Sequence, residues 1–308
     1  MPSRVAIVLM LALFTGMPFD AIADMAKATR FFEQKDYTSA LREIRPLAET
    51  GNRDAQYNLG VMYDKGLGVV RNSAEAMKWY LRAADGGQPL AQFNLGLMYQ
   101  RGEGGEPNSA ESARWFQLAA NQGVVDAQYS LGVLYHRGEG VPQNYQEAIR
   151  WYRQAGQQGF AAAWYNLGVM YRRGEGVAQS AAESVRLNQL AAKSGVADAQ
   201  YTLAEHYELG EGVAMDPVAA CRWYRLAADQ DHRESQYHLG LWYEKGLGVP
   251  QDFVLGYQWL NLAAAKGYVA AQVARDRLVL RMTAAQIAEA QKLSREWRPN
   301  PEKDKAGR

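Results

Sequence analysis

The stretch AQYSLGVLYHRGEGVPQNYQEAIRWYRQA, residues 127–155, is the clearest copy of a unit that recurs every 36 residues along this chain. Its Leu-Gly-x-x-Tyr segment begins at Leu59, Leu95, Leu131, Leu167, Leu203 and Leu239, with Ala204 the one lapse in the glycine column. The closing tyrosines are Tyr63, Tyr99, Tyr135, Tyr171, Tyr207 and Tyr243. A fixed period of this length means stacked supersecondary units, each burying its apolar face against its neighbours.

The rest of the unit keeps the same register. An Ala-Gln pair opens its first half at 55–56, 91–92, 127–128, 199–200 and 271–272. Ten residues on comes a glycine (Gly66, Gly102, Gly138, Gly174, Gly210, Gly246), and a second follows two positions later. This predicts a helix ended by a left-handed glycine. Short polar residues then mark a second helix start at Asp36, Asn72, Asn108, Asn144, Ser180, Asp216 and Asp252. Glu75, Glu111, Glu147 and Glu183, three residues after their caps, have capping-box spacing. Inside the second helix stand Trp79, Trp115, Trp151, Trp223 and Trp259, with Leu187 as the exception, followed by Ala-Ala pairs. Large and tiny residues interleave as close helix packing requires.

These strings, Ala-Gln-x-x-Leu-Gly-x-x-Tyr-x-x-Gly-x-Gly-Val and then Ala-x-x-Trp-Tyr-x-x-Ala-Ala, resemble the Sel-one-like repeat, a longer relative of the tetratricopeptide repeat. The resemblance spans roughly residues 36–275. It implies an all-α, right-handed α/α solenoid of 36-residue helix-turn-helix repeats, and a protein-binding role with no enzymatic activity. Some relatives carry a disulfide in each repeat and have been linked to β-lactam binding. Here Cys221 is the only cysteine. Its column holds Met77, Ala113, Ile149, Val185 and Tyr257, which reads as a buried small hydrophobe. A cell-wall-directed enzyme or β-lactam-binding protein stands as the alternative.

The expected organisation is a signal peptide over 1–23, a partial repeat over 24–51, six repeats over 52–267, capping helices over 268–297 that cover the last open face, and a disordered tail over 298–308. The leader reading rests on Arg4, the apolar run Val5–Phe14 and Ala21-Ile22-Ala23 before Asp24. It predicts a secreted protein, periplasmic in a Gram-negative bacterium. Ten apolar residues are too few to span a bilayer, which takes about 20. With 34 basic and 33 acidic residues the formal charge is +1, which argues against a nucleic-acid or polybasic membrane binder.

The Gly-x-Gly turns lack the strand and Lys-Ser/Thr of a phosphate loop, and no nucleophile or zinc motif occurs. His136 falls in a column with Asp64, Gln100, Arg172, Glu208 and Glu244 that reads as surface. His206 and His238, with Glu205 and Glu234, form the one group that raises a metal site. Recognised ligand spacing is missing, so no metal and no cofactor is expected.

Repeated columns offset from the packing face give the candidate site. An aromatic ladder includes Tyr57, Phe93, Tyr129 and Tyr165; beside it stand Asn58, Asn94 and Asn166, and then Lys65, Arg101, Arg137 and Arg173. In a helix-pair solenoid the first helices line the concave side, so these residues predict a groove for an extended protein or peptide partner. Asn pairs with peptide backbone and Arg with carboxylates. The resemblance to tetratricopeptide proteins implies the same use. For the aromatics, packing in the inter-repeat seam is an equal reading.

Overall fold

The computed structural model describes residues 19–300, with side chains from 25 onward. Among the described residues there are helices and no strands. In chain order they are α1 (Phe19–Glu33), α2 (Tyr37–Glu49), α3 (Arg53–Lys65), α4 (Ser73–Asp85), α5 (Pro89–Arg101), α6 (Ser109–Asn121), α7 (Val125–Arg137) and α8 (Tyr145–Gln157). They continue as α9 (Ala161–Arg173), α10 (Ala181–Lys193), α11 (Ala197–Leu209), α12 (Pro217–Asp229), α13 (Arg233–Lys245), α14 (Phe253–Ala265), α15 (Val269–Val279) and α16 (Ala284–Glu296). This is the all-α solenoid that the period predicts. The chain divides into two compact units between Trp151 and Tyr152.

Each local signal has a visible cause. Gly66, Gly102, Gly138, Gly174, Gly210 and Gly246 end their helices with φ between 69° and 72°, where a side chain is disfavoured. The second turn glycine answers a close approach. A Cβ on Gly140 would stand 2.0 Å from the carbonyl oxygen of Ser109, one repeat back. The predicted caps also form: Asn72, Ser180, Asp216 and Asp252 each accept from the backbone N–H three residues on.

The capping boxes do not close in the repeats. The N–H of Asn72 already donates to the Tyr63 carbonyl at 2.9 Å, and Asn108, Asn144 and Ser180 do the same to Tyr99, Tyr135 and Tyr171. The glutamates turn forward instead and pair with Lys78, Arg114, Arg150 and Arg186. A reciprocal box appears at Thr283 and Gln286, at the start of α16.

In the first unit, α1 and α2 enclose Ala28, Phe32, Ala40 and Ile44, and this core continues onto Leu59 and Met62 of α3. Later layers centre on Tyr80, Leu95 and Trp115, and on Phe116, Leu131 and Trp151. In the second unit successive layers centre on Leu203, on Tyr224 with Trp242 and Trp259, and on Leu260 with Leu278. Cys221 is buried in the middle layer, and burial pushes its thiol up to about 11.

Both termini modify the expected organisation. Residues 1–18 of the expected signal peptide lie outside the described residues; α1 begins at Phe19 and runs through Ala21–Ala23. At the far end α16 packs mainly against α14, where Gln258 donates to the Leu293 carbonyl at 3.3 Å and Trp297 meets Trp259 edge-on. Val269, Val273 and Leu280 stay exposed, so the capping segment does not cover all of α15. Asp276 stands where the repeats have glycine, and that glycine is the socket for the pairing helix. The tail begins attached: the N–H of Asn300 donates to the Asp229 carbonyl at 2.8 Å. Residues 301–308 lie outside the described residues.

Candidate functional site

The first helices carry three packing devices before any binding surface. The glycine of Leu-Gly-x-x-Tyr receives a side chain from the second helix. A Cβ on Gly60 would stand 2.6 Å from the Tyr80 ring, and one on Gly96 would stand 2.4 Å from Phe116. The glutamine of Ala-Gln latches successive repeats. Gln56, Gln92, Gln128, Gln200 and Gln236 each donate to the carbonyl eight residues back, at 3.1–3.3 Å. Each of these helix-end carbonyls also accepts from the backbone N–H three residues on, so the glutamine adds a side-chain bond that ties one repeat to the end of the one before. The third device is the aromatic ladder itself: Tyr57 lies against Tyr80, Phe93 against Phe116 and Tyr201 against Tyr224, with ring centroids 5.7–5.9 Å apart.

This packing revises the predicted groove. Tyr57 is 4% exposed and Asn58 7% exposed, so both belong to the packed interior of the first unit. Asn94 is half-buried beside the hydroxyls of both Tyr57 and Tyr80, and its polar side chain offsets part of what burial does to them. Burial pushes the Tyr57 hydroxyl up to about 12 and that of Tyr80 well above its ordinary value. The asparagine therefore supplies the polar partner that a buried phenol needs. One repeat on, Phe93 and Phe116 have no hydroxyl, and Ser130 in the asparagine column bonds back to the Asp126 carbonyl at 2.8 Å. Phe93, Tyr129, Tyr165 and Asn166 are half-buried, and Thr202 hydrogen-bonds the Tyr165 hydroxyl.

The basic column does reach solvent. Lys65, Arg101 and Arg137 are exposed on α3, α5 and α7 of the first unit, and Arg173 is exposed on α9 of the second. Each lies near an acid at a helix end: Asp64 at 2.7 Å, then Glu103, Glu139 and Glu175 at 3.5–3.6 Å.

Consecutive matches to the Sel1 repeat family model cover residues 53–88, 89–124, 125–160, 161–196, 197–232 and 233–268. The chain belongs to the Sel1 repeat family. Its structure is similar to that of a Sel1 repeat protein from Oxalobacter formigenes, with 33% identity over 78% of this chain and 96% of the other, and a TM-score of 0.71. It is also similar to a protective antigen of uropathogenic Escherichia coli displaying an SLR fold, with 34% identity over 90% of this chain and 68% of the other, and a TM-score of 0.67. A search of curated proteins gave no match. Sel1 repeat proteins are generally protein-interaction scaffolds, and that is the class of function supported here. No helix among the described residues is long and apolar enough to cross a membrane.

The fourth and fifth Sel1 repeats hold what the motif reading passed over. His206 is fully buried, its Nδ1–H donating to the Glu211 carbonyl at 2.9 Å while Nε2 accepts from the Ser184 hydroxyl at 3.1 Å. Asn188 donates to the same hydroxyl at 3.1 Å. Ser184 and His206 resemble a nucleophile and its base, but neither reaches the surface. His238 turns elsewhere, stacked on Tyr224 with centroids 4.9 Å apart and an interplanar angle of 17°. No group of three His, Cys, Asp or Glu among the described residues could hold a metal ion.

The Asp64 column is not uniformly surface either. Glu244 is buried and accepts from Arg277 at 3.3 Å and Arg281 at 2.8 Å. Its sequence signal was the pair of arginines 33 and 37 residues downstream, a long-range spacing that no helix or turn rule flags.

Proposed function

We propose that this protein is a non-catalytic adaptor, secreted to the periplasm, that holds an extended segment of a partner protein along its first helices, on the concave side of the solenoid. The carrying observation is the exposed basic column Lys65, Arg101 and Arg137, repeated on three successive first helices with the half-buried rings of Phe93 and Tyr129 beside it. The pairs these cations make with Asp64, Glu103 and Glu139 are solvent-exposed. Such pairs contribute little, typically below about 1 kcal/mol. A partner carboxylate can therefore displace them at small cost and gain a charge-assisted hydrogen bond.

Crosslinking in the periplasm followed by mass spectrometry should identify the partner, and N-terminal sequencing should find a mature chain starting at Asp24. With the partner in hand, Lys65→Ala, Arg101→Ala and Arg137→Ala combined should weaken binding at least about tenfold, since a hydrogen bond to a charged group contributes about 1.5–3 kcal/mol. Unchanged affinity with a retained fold would move the binding site off the first helices.

A further inference from the structure

One carboxylate in the second unit, Glu208, is not answered by the arginines that its equivalent Glu244 meets one repeat on. At two seams of the second unit an ion pair joins residues 33 positions apart. Arg172 pairs with Glu205 at 2.9 Å, and Glu244 pairs with Arg277 at 3.3 Å. The place between them is Glu208, and the residue 33 positions on is Leu241, apolar like Leu97, Val133 and Val169 in the same column. Glu208 accepts from the Tyr224 hydroxyl at 2.5 Å and lies 3.8 Å from Nδ1 of His238, and no Lys or Arg among the described residues pairs with it. It is 31% exposed and His238 26% exposed, so both are open to a ligand while partly shielded from water.

The walls around this carboxylate are aromatic. His238 is stacked on Tyr224 and stands edge-on to Tyr201 and Tyr237, at 5.7 and 5.5 Å. Tyr201 donates to Glu205 at 2.9 Å, which brings a second carboxylate to the same rim. The guanidinium of Arg172 is already shared between Glu205 and Glu211. Burial holds His238 below its ordinary pKa, so at neutral pH it does not repel a cation. Ring faces beside a carboxylate attract a guanidinium by stacking and charge together.

We propose that Glu208, with the rings of Tyr201 and His238, receives an arginine side chain of the bound polypeptide. The chain itself shows how such a place is filled, since Glu244 one repeat on is occupied by Arg277 and Arg281 of the terminal segment. In the fifth repeat the cation comes from outside. The inference rests on the reading that a partner chain lies along the first helices, and it adds that this partner carries arginine as well as acidic residues.

The test uses the full chain with 13C-labelled histidine; only four histidine signals need assignment. Acetyl-triarginine amide should shift the His238 signal saturably, and the uncharged acetyl-tricitrulline amide should not. Glu208→Gln keeps an acceptor for Tyr224 but removes the charge, and should weaken the triarginine response about tenfold or more, as expected for a desolvated charged contact. Leu241→Arg supplies a cation from within, as Arg277 does for Glu244, and should block the site in the same way. If Glu208→Gln fails to fold, the Leu241→Arg variant is decisive by itself. A His238 signal that triarginine does not move, or moves equally in the folded variants, overturns the proposal. Acetyl-triglutamate amide tests Lys65, Arg101 and Arg137 separately, so loss of that response with the arginine response intact would sink the broader reading and spare this one.

Discussion

The indole of Trp164 lies over Gly156, so close that a Cβ on the glycine would stand 2.5 Å from its ring carbon Cε2. At the equivalent places in the five other repeats a glutamine faces an alanine, and the glutamine donates to that alanine's carbonyl. The fourth repeat has exchanged a hydrogen-bonded latch for a stacked ring, and the exchange needs both residues at once.

Gly156→Ala should therefore destabilise the protein by about 1–3 kcal/mol through overpacking, even though alanine is the better helix former by about 1 kcal/mol. Adding Trp164→Gln should recover most of the loss by rebuilding the latch. A double-mutant cycle by chemical denaturation reads the coupling. Additive losses would show that the two residues act independently.

Trp151 is buried, and its indole N–H has no hydrogen-bond partner among the described residues. Its contribution is then apolar area, packing and the Arg150 guanidinium that lies 4.1 Å from its ring centroid. Trp151→Ala should cost about 3–5 kcal/mol, and Trp151→Phe distinctly less, because no hydrogen bond is lost. Denaturant midpoints of the two variants decide this; equal losses would mean that the N–H matters after all.

Asn94 acts in the seam, so its removal should be felt in stability. Asn94→Ala removes the polar side chain beside two buried tyrosine hydroxyls and should cost about 1–3 kcal/mol. Combining Tyr57→Phe, Tyr80→Phe and Asn94→Ser reproduces the arrangement of Phe93, Phe116 and Ser130 and should restore much of it. Thermal unfolding of both variants tests the pair. A silent Asn94→Ala with weakened partner binding would return this residue to the groove.

Acid should weaken the second unit. Burial holds both His206 and His238 below the ordinary histidine pKa. The unfolded chain takes up these protons at about pH 6.5, while the folded chain resists. Below that pH the unfolded state binds more protons, so the stabilisation is fully present above about pH 6.5 and falls as pH drops toward the depressed folded values. His206→Met, which restores the residue of the first, second and fourth repeats, should flatten the slope between pH 7.5 and 5.5. An unchanged slope would remove His206 as a contributor.

The sequence by itself determined the repeat length, the helix pairs, their glycine ends, their caps and the family. All of these are local signals that recur in one register, because each repeat solves the same packing problem with the same residues. It also marked Lys65, Arg101, Arg137 and Arg173 as exposed helix-end cations, since a charged side chain is rarely buried without a partner. Only the tertiary structure decided which half-polar columns face a neighbouring repeat. Tyr57 and Asn58 are buried and Asn94 stands beside two tyrosine hydroxyls, whereas a helical period places them only by angle around their own helix. The same holds for Glu208 and Glu244, which share one column. One is left with rings and the other is closed by two arginines, because what answers them lies 33 residues away, across a seam that one repeat read alone does not contain.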